Sequence, residues 1–332
     1  MFKPRLDKNR LLIISAVFVF ILIWRLYYVL VDNSLCGSNP YSFLSEHCFG
    51  DTRTHSYKYL INDADICKPF PDKTFLLIVV LSRTSEFEER QAVRQTWGSL
   101  AVSNKEIRLV FMLGYRPEIH SHDLKTENEK YHDIIQEDFY DSYRNLSIKS
   151  EAILRFANTF CSGVKYILKV DVDVFLNLPV LIDDLRKREG TNMIMGHVLQ
   201  LVYLFRTKDS KWYTDSYPLT FHPYYVSGPA YILSGDAAEK LLYVALKTKY
   251  YFVEDVFITG IVRQRSNVEL IHHRGFGYRN PFVDICWLEN KISGHSYTKE
   301  QMIELWSQKV KNKSCTWTLR IFYMLYDILA WW

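Results

Sequence analysis

The sequence has 332 residues, of which 48% are hydrophobic and 23% charged, with 13 Gly and 10 Pro. This composition is typical of a globular protein and excludes disordered, collagen-like and repeat proteins. Lys and Arg number 41 against 37 Asp and Glu, so the formal net charge of +4 is too small to indicate a nucleic-acid-binding protein. Aromatic residues reach 15%, and their rings suit the faces of sugars as well as protein cores.

The N-terminal region carries the features of a membrane anchor. Residues 11–31 are apolar apart from Arg25. The length of this stretch is close to the roughly 20 residues that a bilayer-spanning helix needs. Residues 32–50 contain no Lys or Arg, whereas four cations precede the apolar stretch, namely Lys3, Arg5, Lys8 and Arg10. This bias predicts a cytosolic tail at 1–10, a transmembrane signal anchor at 11–31 and a lumenal remainder. A cleaved signal peptide is the alternative, but the apolar stretch is long for one and no small-residue cleavage site follows it.

The cysteines and two sequons suit a lumenal location. None of the cysteines has the C-x-x-C spacing of a zinc site, and in an oxidising compartment they would form disulfides whose pairing the sequence leaves open. Sequons for N-glycosylation begin at Asn145 and Asn312, and they matter only if the chain faces the lumen. The six cysteines are Cys36, Cys48, Cys67, Cys161, Cys286 and Cys315.

Two parts follow the anchor. Residues 32–72 show little periodicity, which is typical of a stem, and residues 73–332 have the size of one folded domain. Within that domain, short apolar runs predict strands buried on both faces at 75–81, 107–113 and 166–170.

Helical patterns separate these strands. Ser85 and Glu88 have the spacing of a capping box and predict a helix through Trp97, and apolar residues at helical spacing predict another at 153–160. Strands that alternate with helices predict an α/β fold with a mostly parallel sheet covered on both faces and with ligands at the carboxyl ends of the strands. Residues 317–332 are apolar but too short and too charged to span a bilayer, so we expect them to pack on the domain; contact with the membrane interface is the alternative.

Two carboxylates follow the third predicted strand. Asp171 and Asp173 are two residues apart, so in an extended chain they lie on the same face. Carboxylate oxygens are the ligands that Mg²⁺ and Mn²⁺ prefer, and an ion held there could bind a diphosphate. The D-x-D pattern also arises by chance, and Asp63 and Asp65 form a second example with no strand before it.

Three further groups are candidates for binding. Arg90 and Arg94 present two cations on one face of a predicted helix, where they could meet phosphates; a solvated basic face or ion pairs with nearby acids are the alternatives. Tyr224 and Gly228 lie in a segment of rings and glycine that suits either the close approach of a sugar or a buried turn. Trp212 is a third candidate, because aromatic faces stack on sugar rings.

Glu254 and Asp255 begin a helical apolar pattern. Acids in a first helical turn are stabilised by the helix dipole, which is a sufficient structural reason for both. The alternative, functional interpretation is that these acids supply a catalytic base.

Six short motifs occur in a fixed order within about residues 75–300, behind the predicted anchor. They are Arg90-x-x-x-Arg94-x-Thr96-Trp97, Val110-Phe-Met-Leu-Gly114, Asp138-Phe-x-Asp141-x-Tyr143-x-Asn145-Leu-x-x-Lys149, Lys169-x-Asp171-x-Asp173, Tyr224-x-x-x-Gly228 and Glu254-Asp255-Val256. Each motif is short, but the collinear set resembles the β-1,3-galactosyltransferase and β-1,3-N-acetylglucosaminyltransferase family, glycosyltransferase family 31.

The resemblance implies a GT-A fold, in which a Rossmann-like nucleotide-binding half joins an acceptor-binding half. It also implies an enzyme of the Golgi membrane that uses Mn²⁺, or Mg²⁺ in its place. Such an enzyme transfers galactose or N-acetylglucosamine from a UDP-sugar to a glycan acceptor on a glycoprotein or glycolipid. The family's metal motif usually has three consecutive acids, and the middle one is Val172 here. Because the outer two acids are kept, we expect metal binding with altered affinity.

The resemblance also implies roles for individual residues. Asp255 is the expected general base, with Glu254 beside it, and His295 is an expected metal ligand or else an ordinary surface histidine. The other expected groups are the metal ligands Asp171 and Asp173, the UDP-sugar-binding residues Arg90, Arg94, Lys149, Lys169 and Asp171, and the acceptor-binding residues Tyr224, Gly228 and Trp212.

Inverting transfer needs a base to take the proton of the acceptor hydroxyl, and positive charge to stabilise the leaving diphosphate. Val172 favours an alternative, a non-catalytic lumenal protein of the same fold that binds sugar or stabilises a partner transferase. Retention of Asp171, Asp173 and Asp255 together favours the enzyme. A metal-dependent phosphohydrolase would need a second ligand cluster, and the sequence offers no convincing one.

Overall fold

The computed structural model describes residues 19–20, 22–23, 53–68, 74–118, 121–214, 221–279 and 282–329. The predicted tail at 1–10 lies outside these residues, as do Cys36, Cys48 and nearly all of the predicted anchor at 11–31. Among the residues described, no helix is both long enough and apolar enough to cross a bilayer.

A mixed eight-stranded sheet forms the centre of the fold. Its strands are β1 (Tyr59–Ile61), β2 (Leu76–Leu81), β3 (Ile107–Tyr115), β4 (Ile134–Tyr140), β5 (Tyr166–Asp171), β7 (Met193–Leu199), β8 (Tyr225–Ser234) and β9 (Glu269–His272). They lie in the order β1-β4-β3-β2-β5-β8-β7-β9. A separate two-stranded sheet pairs β6 (Phe175–Leu176) with β10 (Ser293–Gly294).

Six of the eight strands of the main sheet run in the same direction. Strands β4, β3, β2 and β5 run in the same direction, as the sequence predicts. Strand β8 is antiparallel to both β5 and β7, and β1 is antiparallel to β4. Strand β7 and its parallel neighbour β9 therefore run in the same direction as β5. The expectation of a mostly parallel sheet is confirmed, with β1 and β8 as the reversed strands, whose direction the hydrophobic runs do not indicate.

The buried strand β2 explains why the sheet is covered on both faces. All six of its residues are apolar and buried. Because side chains alternate along a strand, Leu76, Ile78 and Val80 enter one hydrophobic core, and Leu77 and Val79 enter the other.

Helices supply the other side of each core. The helices are α1 (Phe87–Gln95), α2 (Ser99–Ser103), α3 (Ser121–Tyr131), α4 (Leu146–Phe160), α5 (Leu178–Arg186), α6 (Gly235–Ala245), α7 (Arg263–Arg265), α8 (Ile285–Leu288), α9 (Lys299–Val310) and α10 (Trp317–Leu329), with a π-helical segment at Val256–Val262 before α7. Residues of α1, α5 and α9 pack in the first core, and residues of α4, α6 and the π-helical segment pack in the second. The prediction of an α/β fold covered on both faces is confirmed.

The start of α1 differs from the prediction. The helix begins at Phe87, and Glu86 precedes it without a capping hydrogen bond, so Ser85 and Glu88 do not form a capping box. The Glu86 carboxylate instead accepts a hydrogen bond from the Arg83 backbone N–H at 2.7 Å. A capping box between Thr298 and Gln301 is present at the start of α9.

The folded domain begins before the predicted boundary at residue 73. Strand β1 pairs with β4 at the sheet edge, Cys67 forms a disulfide with Cys161, and His55 is buried between two carboxylates. Residues 53–68 therefore belong to the domain rather than to a stem. The sequence alone does not predict β1, because a single short edge strand has too few residues to show periodicity.

The C-terminal segment packs on the domain, as predicted. A disulfide joins Cys286 to Cys315 just before α10. The ring of Phe282 contacts those of Phe322, Tyr323 and Tyr326 on α10, with centroids 4.9 to 5.8 Å away.

Candidate active site

A cleft of about 590 Å³ opens at the carboxyl ends of β2 and β5. Chain reversals after these two strands bring Ser82 and Asp171 to its floor. The turn before α4 contributes Tyr143, and the segment before α9 contributes His295. The cleft thus lies at the carboxyl edge of the parallel strands, where the sequence places ligands.

Asp171, Asp173 and His295 converge in this cleft. Each offers one ligand atom, and these three atoms lie within 4.8 Å of one another. His295 Nε2 is 3.4 Å from an Asp173 carboxylate oxygen, and His295 Nδ1 lies 3.3 Å from the Tyr278 carbonyl, a contact that orients the ring. Two carboxylates and one imidazole suit a divalent ion such as Mn²⁺, so the residues present fit the expected metal.

The loop that carries the two aspartates is held from three sides. Trp97 is fully buried and donates its indole N–H to the Val174 carbonyl at 3.0 Å. The Tyr297 N–H donates to the Asp173 carbonyl at 3.0 Å. Val172 lies between the two acids and packs in the first hydrophobic core, where an acid would be buried.

Buried charges lie behind Asp171. Lys169 Nζ is 2.6 Å from an Asp171 carboxylate oxygen, 2.6 Å from the Gly228 carbonyl and 3.7 Å from Glu254. Burial opposes the ammonium charge, but the two carboxylates outweigh it and raise the pKa of Lys169. Lys169 therefore stays charged and fixes Asp171 rather than facing the open cleft.

Asp255 and Glu254 have different surroundings. Glu254 accepts hydrogen bonds from the Tyr231 hydroxyl at 2.6 Å and the Ser150 hydroxyl at 2.7 Å. Among the residues that the structure describes, Asp255 accepts backbone N–H bonds alone, from Gly228 at 3.0 Å and Val256 at 2.9 Å. Burial, and then the negative charge of Glu254, raise the pKa of Asp255 to about 7.

Gly228 allows the contact with Asp255. A Cβ atom at this position would lie 3.2 Å from an Asp255 carboxylate oxygen, closer than most side chains tolerate. Its backbone N–H donates to Asp255 and its carbonyl accepts from Lys169, so Gly228 links these two residues; its contact with an acceptor sugar stays a prediction.

Arg90 and Arg94 do not face the cleft. Arg90 is 1% exposed, pairs with the buried Glu127 at 2.6 Å, and donates to the Arg83 carbonyl at 2.6 Å. Arg94 pairs with Glu127 and with Asp133, each at 2.7 Å. The prediction that they bind the UDP-sugar is therefore corrected: their charges are neutralised inside the domain, and Arg90 positions the loop that lines the cleft. Both arginines form ion pairs with acids, which is one of the alternatives that the sequence left open.

Lys149 is buried, but it lines the cleft. Its ammonium contacts Asp141 at 2.7 Å and donates to the Ser82 carbonyl at 2.9 Å. Burial lowers the pKa of Lys149 despite the charge of Asp141. Lys149 thus joins α4 to the backbone at the end of β2, where the cleft begins.

Aromatic and basic side chains form the rim. Trp212 is 37% exposed and packs against Phe205 at 5.0 Å between ring centroids. Lys211 Nζ lies 4.7 Å from the Trp212 ring and 5.4 Å from the Tyr143 ring. Tyr224 is half-buried, in the segment that leads into β8. Trp212 is thus beside the cleft, and Tyr224 is outside its lining.

Sequence reasoning missed Tyr143, Lys211 and Lys299, all of which line the cleft. Tyr143 lies in one of the matched motifs, so the resemblance offered a signal. Burial, and then the negative charge of Asp255, raise the pKa of Tyr143 to about 12. The two lysines stand in no recognisable pattern, because folding alone brings their segments to the rim.

The two sequons differ in accessibility. Asn312 lies exposed in the turn after α9. Asn145 is half-buried, its side-chain amide donates to the Tyr140 carbonyl at 2.8 Å, and Ser147 is fully buried. Modification of Asn145 would have to precede folding.

An α/β fold with a candidate metal-binding cluster in a cleft at the carboxyl ends of its strands is typical of glycosyltransferases, and the comparisons assign the chain to that class. The galactosyltransferase family model matches residues 88–274. β-1,3-Galactosyltransferase 1 of Homo sapiens is 32% identical over 308 residues, 88% of this chain and 93% of that protein. β-1,3-Galactosyltransferase 2 of Mus musculus is 32% identical over 85% of this chain and 69% of that protein. The chain belongs to the galactosyltransferase family and is a hexosyltransferase.

Among solved structures, the WbbM bifunctional glycosyltransferase covers 73% of this chain and 52% of its own length. The TM-score is 0.43 at 10% sequence identity, which carries no information on activity.

Proposed function

We propose that the protein is an inverting β-1,3-glycosyltransferase that transfers galactose, or N-acetylglucosamine, from a UDP-sugar to a hydroxyl of a glycan acceptor. The observation that carries the proposal is the cluster of Asp171, Asp173 and His295 beside a separate carboxylate, Asp255, whose pKa is raised to about 7. The relatives, named β-1,3-galactosyltransferases, support the linkage and favour galactose.

Asp255 is the general base of this proposal. A base is most effective when its pKa is close to the working pH, and Asp255 meets that condition. Its two backbone hydrogen bonds orient the carboxylate, and Glu254, held by Tyr231 and Ser150, keeps the pKa of Asp255 high. Asp255 takes the proton from the acceptor hydroxyl as this oxygen attacks the anomeric carbon, in the way that inverting glycosidases activate water.

Asp171, Asp173 and His295 would hold the divalent ion, Mn²⁺ or Mg²⁺. When bound, the ion supplies Lewis-acid stabilisation of the negative charge that develops on the leaving diphosphate. Lys149, paired with Asp141, holds the Ser82 carbonyl at the end of β2, and Lys169 fixes the orientation of Asp171.

The acceptor is proposed to enter over Gly228 and between the rim residues Trp212 and Tyr224. An aromatic face beside the cleft offers a stacking surface for a sugar ring, and Gly228 leaves space for close approach to Asp255. Tyr143 and Lys211 continue that rim.

We also propose a Golgi membrane location with type II topology and the catalytic domain in the lumen. The support comes from the apolar stretch at 11–31 with its flanking charges, and from the two disulfides Cys67–Cys161 and Cys286–Cys315, which form in oxidising compartments.

The test is UDP release by the purified full chain with Mn²⁺, using UDP-galactose, UDP-N-acetylglucosamine and UDP-N-acetylgalactosamine, each with a panel of glycan acceptors. Release that depends on acceptor and is abolished by EDTA is expected, and the preferred donor identifies the sugar. Failure to bind UDP with Mn²⁺ would contradict the proposal.

A further inference from the structure

A cavity of about 440 Å³ lies beside the catalytic cleft, within the size range of small-ligand sites. We call it the basic cavity. It is lined at the ends of β7 and β9, by the segment after β9, and by α10. The mechanism proposed above uses none of its side chains.

The basic cavity faces the same side of the sheet as Asp171. Strand β8 is antiparallel to β5, and β7 is antiparallel to β8, so the carboxyl ends of β5 and β7 reach the same edge. Strand β9 is parallel to β7 and ends there too. Tyr278 connects the cleft with the basic cavity. It lines the basic cavity, and its backbone carbonyl lies 3.3 Å from His295 Nδ1 in the cleft. A ligand that extends from the cleft along this edge reaches the basic cavity.

Positive charge dominates the lining. Arg274, Arg279 and Lys291 come from separate points of the chain and converge on this space. Among the described lining residues, Asp327 is the one carboxylate, and it is already paired with Lys291 at 2.7 Å. An anionic group is therefore favoured in the cavity.

Aromatic rings form the walls between these charges. Arg279 lies 5.0 Å from the Tyr278 ring centroid and Lys291 lies 4.8 Å from that of Trp287. The buried indole N–H of Trp287 has no hydrogen-bond partner among the residues described. His272 Nδ1 accepts the Val198 N–H at 3.1 Å, which leaves the ring hydrogen on Nε2. Stacking surfaces beside guanidinium groups suit a sugar ring that carries an acid.

We propose that the basic cavity is an acceptor subsite for an acidic sugar, one that carries a carboxylate or a sulfate. This inference rests on the proposed transferase function, because the sugar belongs to a glycan whose reacting hydroxyl faces Asp255. Arg274 and Arg279 bind the anionic group, and Tyr278 and Trp287 contact the ring. The subsite selects acceptors that carry an acid at a distance from the reacting hydroxyl.

The test is calorimetric titration of the full chain with lactose, sialyllactose and sulfated lactose. The acidic sugars are expected to bind about 10-fold more tightly than lactose, because a hydrogen bond to a charged group contributes that much. The double variant Arg274→Gln/Arg279→Gln is expected to lose this difference. The matched control Arg186→Gln removes an exposed cation on α5 and is expected to keep it. Comparison of the two acidic sugars shows which anion the subsite accepts.

Equal binding of lactose and both acidic sugars would overturn the proposal, and so would a preference that survives the double variant. Titration of the same samples with UDP and Mn²⁺ separates the two levels of inference. Absence of the acid preference in the wild-type chain with intact UDP binding contradicts the subsite alone, whereas absent UDP binding contradicts the transferase proposal.

Discussion

Glu254 and Asp255 are adjacent in sequence, yet their carboxylates have different environments. The Glu254 carboxylate accepts hydrogen bonds from two hydroxyl groups and pairs with Lys169, whereas the Asp255 carboxylate accepts two backbone N–H bonds. Pairs of acids whose environments separate their pKa values identify acid and base roles. This difference supports the proposal that Asp255 is the base and that Glu254 maintains its pKa.

Asp255→Asn is expected to lower kcat by about 10²- to 10⁴-fold, because it removes base catalysis while keeping the shape of the side chain. UDP binding should be unchanged, since Asp255 is not among the proposed metal ligands. The measurement is steady-state UDP release together with UDP titration. Asp183→Asn, which alters an exposed acid on α5, is the control and should behave as wild type. Wild-type turnover by Asp255→Asn would exclude it as the base.

The raised pKa of Asp255 also predicts the pH dependence. A base must be deprotonated, so kcat/KM should fall as the pH drops through about 7, approaching about tenfold per unit below it. A pH–rate profile of wild-type enzyme checks this. A flat profile between pH 5 and 8 would show that Asp255 does not limit turnover.

The sequence reveals some site residues and conceals others. Asp171, Asp173 and His295 are recognisable because their residue types and motif positions carry the chemistry, and the fold brings them together. Arg90 and Arg94 have the same kind of signal but bind buried acids, because α3 packs against α1 and brings Glu127 to them. A motif locates such residues, but only the tertiary partners decide what their charges do.

At the scale of elements, the loop between β5 and β6, which carries the proposed metal ligands, is attached to the segment that follows α1. Trp97 reaches from the end of α1 to the Val174 carbonyl and joins the two segments by a buried hydrogen bond. Trp97 thus fixes the loop that carries the aspartates, and Arg90 of the same motif binds the carbonyl of Arg83, which lines the cleft.

Trp97→Phe is expected to weaken Mn²⁺ binding by about 10-fold, because it removes the N–H that positions the loop while a ring still fills the site. The measurement is Mn²⁺ titration of the full chain followed by electron paramagnetic resonance. Trp306→Phe on α9, which is partly buried against the same core, is the matched control and should leave Mn²⁺ affinity unchanged. Equal effects of the two substitutions would contradict a specific role for the Trp97 N–H.

The strands that the sequence predicts correctly are those that a continuous hydrophobic run defines by itself. The buried runs of β2, β3 and β5 are continuous and apolar, so their existence could be predicted. The antiparallel partners β7 and β8 could not be placed, because their order depends on pairing across long connections. The start of α1 was missed because Glu86 binds the preceding loop rather than capping the helix.

At the scale of the whole molecule, the segment at 53–68 closes the sheet edge. His55 has a 2%-exposed side chain and lies 2.6 Å from Glu137 and 3.5 Å from Glu151. Burial alone would lower the pKa of His55, but its hydrogen bonds to both carboxylates outweigh this and raise it. The protonated ring therefore stabilises the attachment of the segment to the domain.

A raised pKa in the folded state means that the stabilisation is fully present below about pH 6.5 and is lost as the pH rises through the higher folded value. His55→Gln should therefore lower Tm more at pH 6 than at pH 9, and thermal denaturation of the full chain measures this. His132→Asn is the control, because its side chain is exposed and asparagine tolerates the positive φ of that residue. An equal loss at both pH values would show that the charge of His55 does not contribute.

The central claim is that the acidic cluster at the end of β5 binds the ion that holds UDP. The most direct measurement is UDP affinity of the full chain at graded Mn²⁺ concentrations, for wild type and for Asp171→Asn/Asp173→Asn. The other D-x-D pair of the sequence supplies the control, Asp63→Asn/Asp65→Asn. We predict Mn²⁺-dependent UDP binding in wild type and control, abolished by EDTA and by the Asp171/Asp173 double variant. UDP binding that is unchanged by EDTA and by that variant would contradict the account.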